Sequence, residues 1–158
     1  MGSSTISLFL ILSFIAATAS AQNLQQDFLD AHNRERELVD VKPMTWSTTV
    51  ADYASNYAQS RSSDCREVYS LGPYGENVAA VSSLDSAENA VGTWVREKPF
   101  YDYESNSCME GQVCWHYTQV VWRESTELGC ALQQCDNGLV FAICCYNPRG
   151  NITAQLPY

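Results

Sequence analysis

The chain is poor in positive charge. Nine Lys and Arg stand against eighteen Asp and Glu, giving a net charge of −9. Without a basic patch there is nothing to neutralise a row of phosphates, so nucleic acid and anionic membrane are excluded as general partners. Histidine is equally scarce, with only His32 and His116, and no C-x2-C pair occurs. A structural zinc site is therefore not expected. There is no G-x-S-x-G nucleophile motif, no internal repeat and no low-complexity tract. After the first 21 residues no apolar run is long enough for a bilayer span of roughly 20 residues, so stable membrane insertion is not expected.

What is present begins with "MGSSTISLFLILSFIAATASA". It has no charged residue, an apolar run from Ile6 to Ala17, and a small-x-small end at Ala19-Ser20-Ala21. That pattern predicts a secretory signal over residues 1–21, cleaved before Gln22. The n-region lacks the usual Lys or Arg, and a membrane anchor is the alternative. All seven cysteines follow it, and secretion favours disulfides. Seven is odd, so at least one cysteine is left over from internal pairing.

The remainder, 22–158, reads as one α+β domain. "LQQDFLDAHNRERELVD" predicts an amphipathic helix with Leu24, Phe28, Leu29, His32 and Val39 near one face and Arg34, Glu35, Arg36 and Glu37 mostly outside. His32 reads as a helix-face histidine bonded to the core. "VKPMTW" is extended, because the residue before Pro43 resists helix. Ser47 is a candidate N-cap for a helix with Val50, Ala54, Tyr57 and Ala58 inward. "VYSLGPYGENVAAV" reads as a loop from its glycines and proline. Asp85 is a candidate cap for a third helix striped by Ala87, Ala90, Val91, Trp94 and Val95 and stopped by Pro99. "WHYTQVVWR" alternates like a strand. "GCALQQC" and "LVFAICCY" flank Asp136-Asn137-Gly138, a strong hairpin turn. In the last strand Cys144 shares a face with Val140 and Ala142, and Cys145 the opposite face with Phe141 and Ile143. Adjacent cysteines in a regular strand do not bond to each other.

Five motifs in order, "DFLDAHNRER", "YGENVA", "WVREKPFYDY", "HYTQVVWR" and "CCYNPRGN", together with the cysteine spacing, resemble the plant pathogenesis-related protein 1 family. That family is part of the larger CAP group of secreted proteins, with the cysteine-rich secretory proteins and antigen 5. The resemblance covers residues 22–158. It implies a three-layer α-β-α sandwich with disulfides Cys65–Cys135, Cys108–Cys114 and Cys130–Cys144, leaving Cys145 unpaired where the family usually has asparagine. A loop-closing disulfide contributes about 2–4 kcal/mol. An unpaired Cys145 is either an inert buried hydrophobe or, if exposed, a route to a disulfide-linked dimer of an otherwise monomeric chain.

The family's cleft of two histidines and two glutamates maps onto Glu76, Glu97, His116 and Tyr69, the last in place of a histidine; nearby Leu71 offers no substitute. No cofactor is expected, and at most a weak divalent-metal site at Glu76, Glu97 and His116, since a phenol is a poor ligand at neutral pH. The same groups have the composition of an acid/base pair, and so of a metal-assisted hydrolase; with no nucleophile indicated, a hydrogen-bonded scaffold and a non-enzymatic protein are favoured. The resemblance further implies binding of a sterol or similar lipid near Phe100, Tyr101 and Tyr103, although these rings could instead pack under the Cys108–Cys114 loop. It also implies a releasable signalling peptide, residues 148–158, cut between Asn147 and Pro148 and read by a receptor. "CCYN" departs from the residues that usually precede that cut. Asn151-Ile152-Thr153 is a glycosylation sequon on this segment. The expected function is that of a secreted defence protein of the extracellular space, with the vacuole as alternative.

Overall fold

The computed structural model describes residues 24–82 and 87–158. The predicted signal segment with its cleavage point, and the predicted Asp85 cap, lie outside the described residues. Helix α1 occupies residues 24–37. It is followed by β1 (Thr45–Trp46), α2 (Thr48–Ser60), β2 (Gly75–Val81) and α3 (Ala87–Val95). A short 3-10 turn, Lys98–Phe100, leads to the two-stranded β3 (Tyr101–Asp102) and β4 (Ser107–Cys108). Then come α4 (Trp115–Val120), β5 (Glu127–Gln134) and β6 (Val140–Asn147). The main sheet has the order β1-β5-β6-β2; only the β1–β5 pair is parallel.

Helices cover both faces of this sheet, which makes the three-layer α-β-α sandwich. Alternation along β6 assigns its side chains. Ala142, Cys144 and Tyr146 join Phe28, Ala31, Val91, Trp94 and Tyr117 in one core. Phe141, Ile143 and Cys145 join Val50, Ala54 and Ala58 of α2 in the other. Helix α2 lies directly on β5 because Gly129 has no side chain: a Cβ there would come 2.1 Å from the Ala51 amide nitrogen. Ser47 occupies the N-cap of α2 but its side chain makes no capping bond; its carbonyl accepts from the Ala51 N–H instead.

Three disulfides join Cys65–Cys135, Cys108–Cys114 and Cys130–Cys144. The first ties the chain after α2 to the β5–β6 hairpin. The third bridges directly opposed residues of β5 and β6. Cys145 is free and buried at 0 % exposure. Burial first, and then the Glu76 charge, push its thiol well above the ordinary range, so it is a small core hydrophobe and not a surface linker of chains.

Three sequence expectations are corrected. Trp115–Val120, within "WHYTQVVWR", form helix α4, not a strand. Residues 117–122 are all buried, so no polar face displays the helical period, and six residues are too few to separate the two rhythms. The loop expected over 68–81 ends at Gly75; its second half pairs residue by residue with β6. Gly72, Pro73 and Gly75 punctuate only the approach. Arg36, expected outside, is fully buried. Its guanidinium donates to the carbonyls of Lys42, Val120, Trp122 and Ser125 at 2.8–3.1 Å.

His32 joins the core as expected. Its Nδ1–H donates to the Phe28 carbonyl at 2.7 Å, which leaves Nε2 to accept from the Tyr146 hydroxyl at 2.9 Å. Desolvation lowers its pKa from 6.5 to about 4. Between those values the unfolded chain binds a proton that the folded chain refuses, so stability is full above pH 6.5 and is lost as pH falls toward 4. The effect amounts to about 3 kcal/mol. Urea unfolding of the wild type at pH 7 and pH 4.5 should show this loss, and His32→Gln should show less of it. Parallel pH profiles for the two proteins would contradict the assignment.

Candidate functional site

The cleft forms where the start of β2, the N-terminus of α4, the end of α3 and the loop before β2 meet. Glu97 accepts from the His116 backbone N–H at 2.9 Å and from its ring Nδ1–H at 2.6 Å. A carboxylate at the first turn of a helix satisfies otherwise unpaired N–H groups, which fixes the α4 entry. With Nδ1 protonated, His116 Nε2 accepts, and the Tyr69 hydroxyl donates to it at 2.7 Å. Burial first, then Glu97, Glu67 and Glu76, raise the Tyr69 phenol above its ordinary value. It therefore stays a protonated donor at neutral pH, and Glu97–His116–Tyr69 is a closed chain of hydrogen bonds.

Glu76 belongs to a different group. Its carboxylate accepts from the Ser70 N–H at 2.7 Å and from the Ser70 hydroxyl, which also meets the Tyr53 phenol at 2.6 Å. Thus Glu97 and His116 come together, Tyr69 closes on them, and Glu76 turns aside. Among the described residues no three His, Cys, Asp or Glu side chains converge on a point that could hold a metal. The donor set does not fit a divalent ion. Ser70 and Tyr53 carry no motif by which the sequence singles them out. The cleft has a volume of about 330 Å³, with Tyr69, Glu76, Trp115, His116 and Arg149 in its lining.

The aromatic connection faces the C-terminal segment. Tyr101 pairs with Cys108 across β3 and β4, and Phe100 is half-buried just before it. Tyr103 is 42 % exposed. Residues 148–158 form no strand but are held along their length. Ser125 Oγ donates to the Pro148 carbonyl at 2.7 Å, and the Gly150 N–H to Gln119 Oε1 at 3.0 Å. Asn106 donates to the Gln155 carbonyl at 2.9 Å, and the Arg123 N–H to the Pro157 carbonyl at 2.6 Å. The chain end is therefore docked along its length. The cis Asn147–Pro148 junction sits at the end of β6, with Asn147 accepting from the Thr126 N–H at 3.0 Å and donating to Glu127. The Asn151 side chain turns inward: Oδ1 accepts from Thr118 Oγ1 at 2.7 Å and Nδ2 donates to the Trp115 carbonyl at 2.8 Å. A glycan on Nδ2 would have to displace that contact.

Beneath the rings lies Tyr117, fully buried. Its phenol is raised far above the ordinary range by desolvation and then by the approach of Tyr158. That approach falls short of a formed bond, and the hydroxyl has no hydrogen-bond partner among the described residues. Such an orphaned group costs about 1–3 kcal/mol. Nothing in "HYTQVVW" distinguishes this tyrosine from an ordinary core residue.

The profile of CAP, the cysteine-rich secretory protein family, matches residues 29–146. Pathogenesis-related protein 1B of Nicotiana tabacum is 51% identical over 98% of this chain and 91% of the relative. A pathogenesis-related protein of PR-1 type from Sambucus nigra is 46% identical over 98% of this chain and 94% of the relative. Among solved structures, Schistosoma mansoni venom allergen-like protein 4 superposes with TM-score 0.70 at 22% identity, covering 85% of this chain and 93% of that one. NaASP2, solved with Zn2+, superposes with TM-score 0.71 at 26% identity over 85% and 84%.

The Glu97–His116–Tyr69 chain predicts that zinc titrated into this protein at pH 7 binds weakly, without saturating one site per chain, for want of converging nitrogen and oxygen donors. Tyr69→His, which frees Nε2 and adds an imidazole, should tighten it. Calorimetry measures both; tight stoichiometric zinc on the wild type would overturn the geometry.

Proposed function

The chain belongs to the CAP family, and on that footing we propose that it is a secreted plant defence protein that acts by recognition. It binds a sterol or related lipid at the aromatic connection and releases residues 148–158 as a signalling peptide read by a receptor. Kinship with the pathogenesis-related proteins of tobacco and elder supports the defence role. The lipid site is supported by one observation above all: Tyr101, Tyr103 and Tyr158 form a cluster of rings in mutual contact, of which Tyr103 is 42 % exposed. Beside it runs a groove of about 460 Å³ with Trp115, Trp122, Ile152 and Pro157 in its lining. Apolar walls with a few placed polar groups suit a rigid apolar ligand.

A non-enzymatic role agrees with the cleft. The metal-assisted hydrolase would need His116, Glu76 and Glu97 to converge, and they do not. His116 Nε2 is engaged by a phenol, and that phenol is held protonated. The acidic surface, net −9, directs the lipid choice away from anionic bilayers. No helix among the described residues is long and apolar enough to cross a membrane.

Ergosterol should bind the chain saturably. Tyr101→Ala should weaken that binding by about tenfold, the loss of one aromatic wall. Identical binding by wild type and variant would move the lipid elsewhere on the molecule. For the peptide, mass spectrometry of extracellular fluid should find a fragment that begins at Pro148. Recovery only of chains that still carry Tyr158 would remove the release step.

A further inference from the structure

Tyr158 fills the aromatic connection. Its ring stacks on Tyr103 with centroids 5.0 Å apart and meets Tyr101 edge-on at 6.3 Å. Tyr101 stands 6.3 Å from the ring of Tyr117. The backbone holds the ring in place, with the Tyr103 hydroxyl donating to the Tyr158 carbonyl at 2.7 Å. Behind these rings is the Tyr117 hydroxyl, which has no well-formed hydrogen bond and whose nearest polar neighbour is Tyr158. The result is a slot with flat aromatic walls and one unsatisfied hydroxyl at its inner end. A phenol occupies it, carried by a segment held through single hydrogen bonds and not through strand pairing.

We infer that Tyr158 is a built-in plug in a slot for an uncharged, ring-bearing lipid with a single hydroxyl, and that lifting residues 148–158 opens this slot. The inference rests on the lipid function proposed above and adds its regulation by the C-terminal segment. Three features select this lipid class. The stacked walls accept a flat apolar body, as they accept the Tyr158 ring. The Tyr117 hydroxyl lacks a partner that a ligand hydroxyl would supply. The polar end is not cationic: Lys98 Nζ lies 5.8 Å from the Tyr117 ring centroid but is paired with Glu35 at 3.5 Å. Asp102 and Glu104 stand on the adjoining turn. The same segment, from Asn151 to Gln155 and at Pro157, also borders the neighbouring groove, which would widen as it lifts.

A fluorescent ergosterol analogue, titrated into the full chain, tests this. Tyr158→Ala should bind at least about tenfold more tightly than wild type, because the fraction of molecules with an open slot rises. Tyr158→Phe keeps the ring and should bind like wild type; it also controls for folding. In the Tyr158→Ala background, Tyr117→Phe should abolish any preference for the sterol over its hydrocarbon lacking the hydroxyl. Equal saturable binding by wild type and Tyr158→Ala would overturn the plug while leaving the lipid function intact. A hydroxyl preference that survives Tyr117→Phe would overturn the ligand class. No binding by any of the proteins would remove the lipid function itself and the slot with it.

Discussion

A buried cation organises this molecule. Arg36 lies wholly inside, and none of its bonds goes to a carboxylate. Its donors meet the carbonyls of Lys42, Val120, Trp122 and Ser125. Two of these, at Val120 and Trp122, belong to the end of α4 and the residues just beyond, where a helix leaves its carbonyls unpaired and its dipole negative. Desolvation draws the guanidinium down to about 10, so it keeps its charge at neutral pH. Removing it would leave several buried carbonyls without a donor, which is more costly than losing an ordinary surface bond. The same turn then anchors the C-terminal segment. Ser125 holds Pro148 and Arg123 holds Pro157. Helix α1 thus sets the position of a segment more than a hundred residues away in sequence.

A second buried network positions α4 from its other end. His32 accepts from Tyr146, whose hydroxyl oxygen accepts from Asn77 at 3.1 Å, and Asn77 donates to the His116 carbonyl at 2.9 Å. From outside, Glu97 holds the His116 N–H and ring together. His116 is therefore fixed through its backbone by the core and through its side chain by the cleft. Such satisfied networks specify one arrangement. Both ring nitrogens of His116 are hydrogen-bonded by protein groups, Nδ1 by Glu97 and Nε2 by Tyr69.

Much of the fold was legible because its signals are local and periodic. The β5–β6 hairpin follows from Asp136-Asn137-Gly138, and the division of Cys144 from Cys145 follows from strand alternation. The inward stripes of α2 and α3 are regular. What was not legible depends on tertiary contact. Arg36 sits in a run of charges, "RERE", and only the carbonyls converging on it from α4 distinguish it from its neighbours. In helix α4 the four residues Tyr117 to Val120 are all buried, polar and apolar alike, which erases the pattern that would reveal it. In the cleft, residue identities were readable but directions were not: Glu76 and Glu97 look equivalent in sequence, yet one serves Ser70 and the other His116. Tyr117 and Tyr158 are far apart in the chain, and their meeting beside Tyr101 has no sequence signature.

Both cavities share one wall. Arg149, Gly150 and Asn151 border the His116 cleft, while Asn151 through Gln155, and Pro157, border the groove beside the aromatic connection. Gly150 makes the shared wall possible, since a Cβ there would lie 2.6 Å from both Gln119 Nε2 and Trp122 Cγ. The segment is thus pressed against α4 at one end and capped by the Tyr158 stack at the other. Its docking rests on single hydrogen bonds, each worth about 0.5–1.5 kcal/mol net, and on the Tyr158 ring contacts at its end. The sheet beneath it is fixed by paired strands and a disulfide. Local opening follows the weakest cooperative unit, so the segment can leave while the sandwich stays folded. In the function proposed here, the element that carries the released signal is also the element that covers the ligand groove, so release and ligand entry would share a single mechanical coordinate.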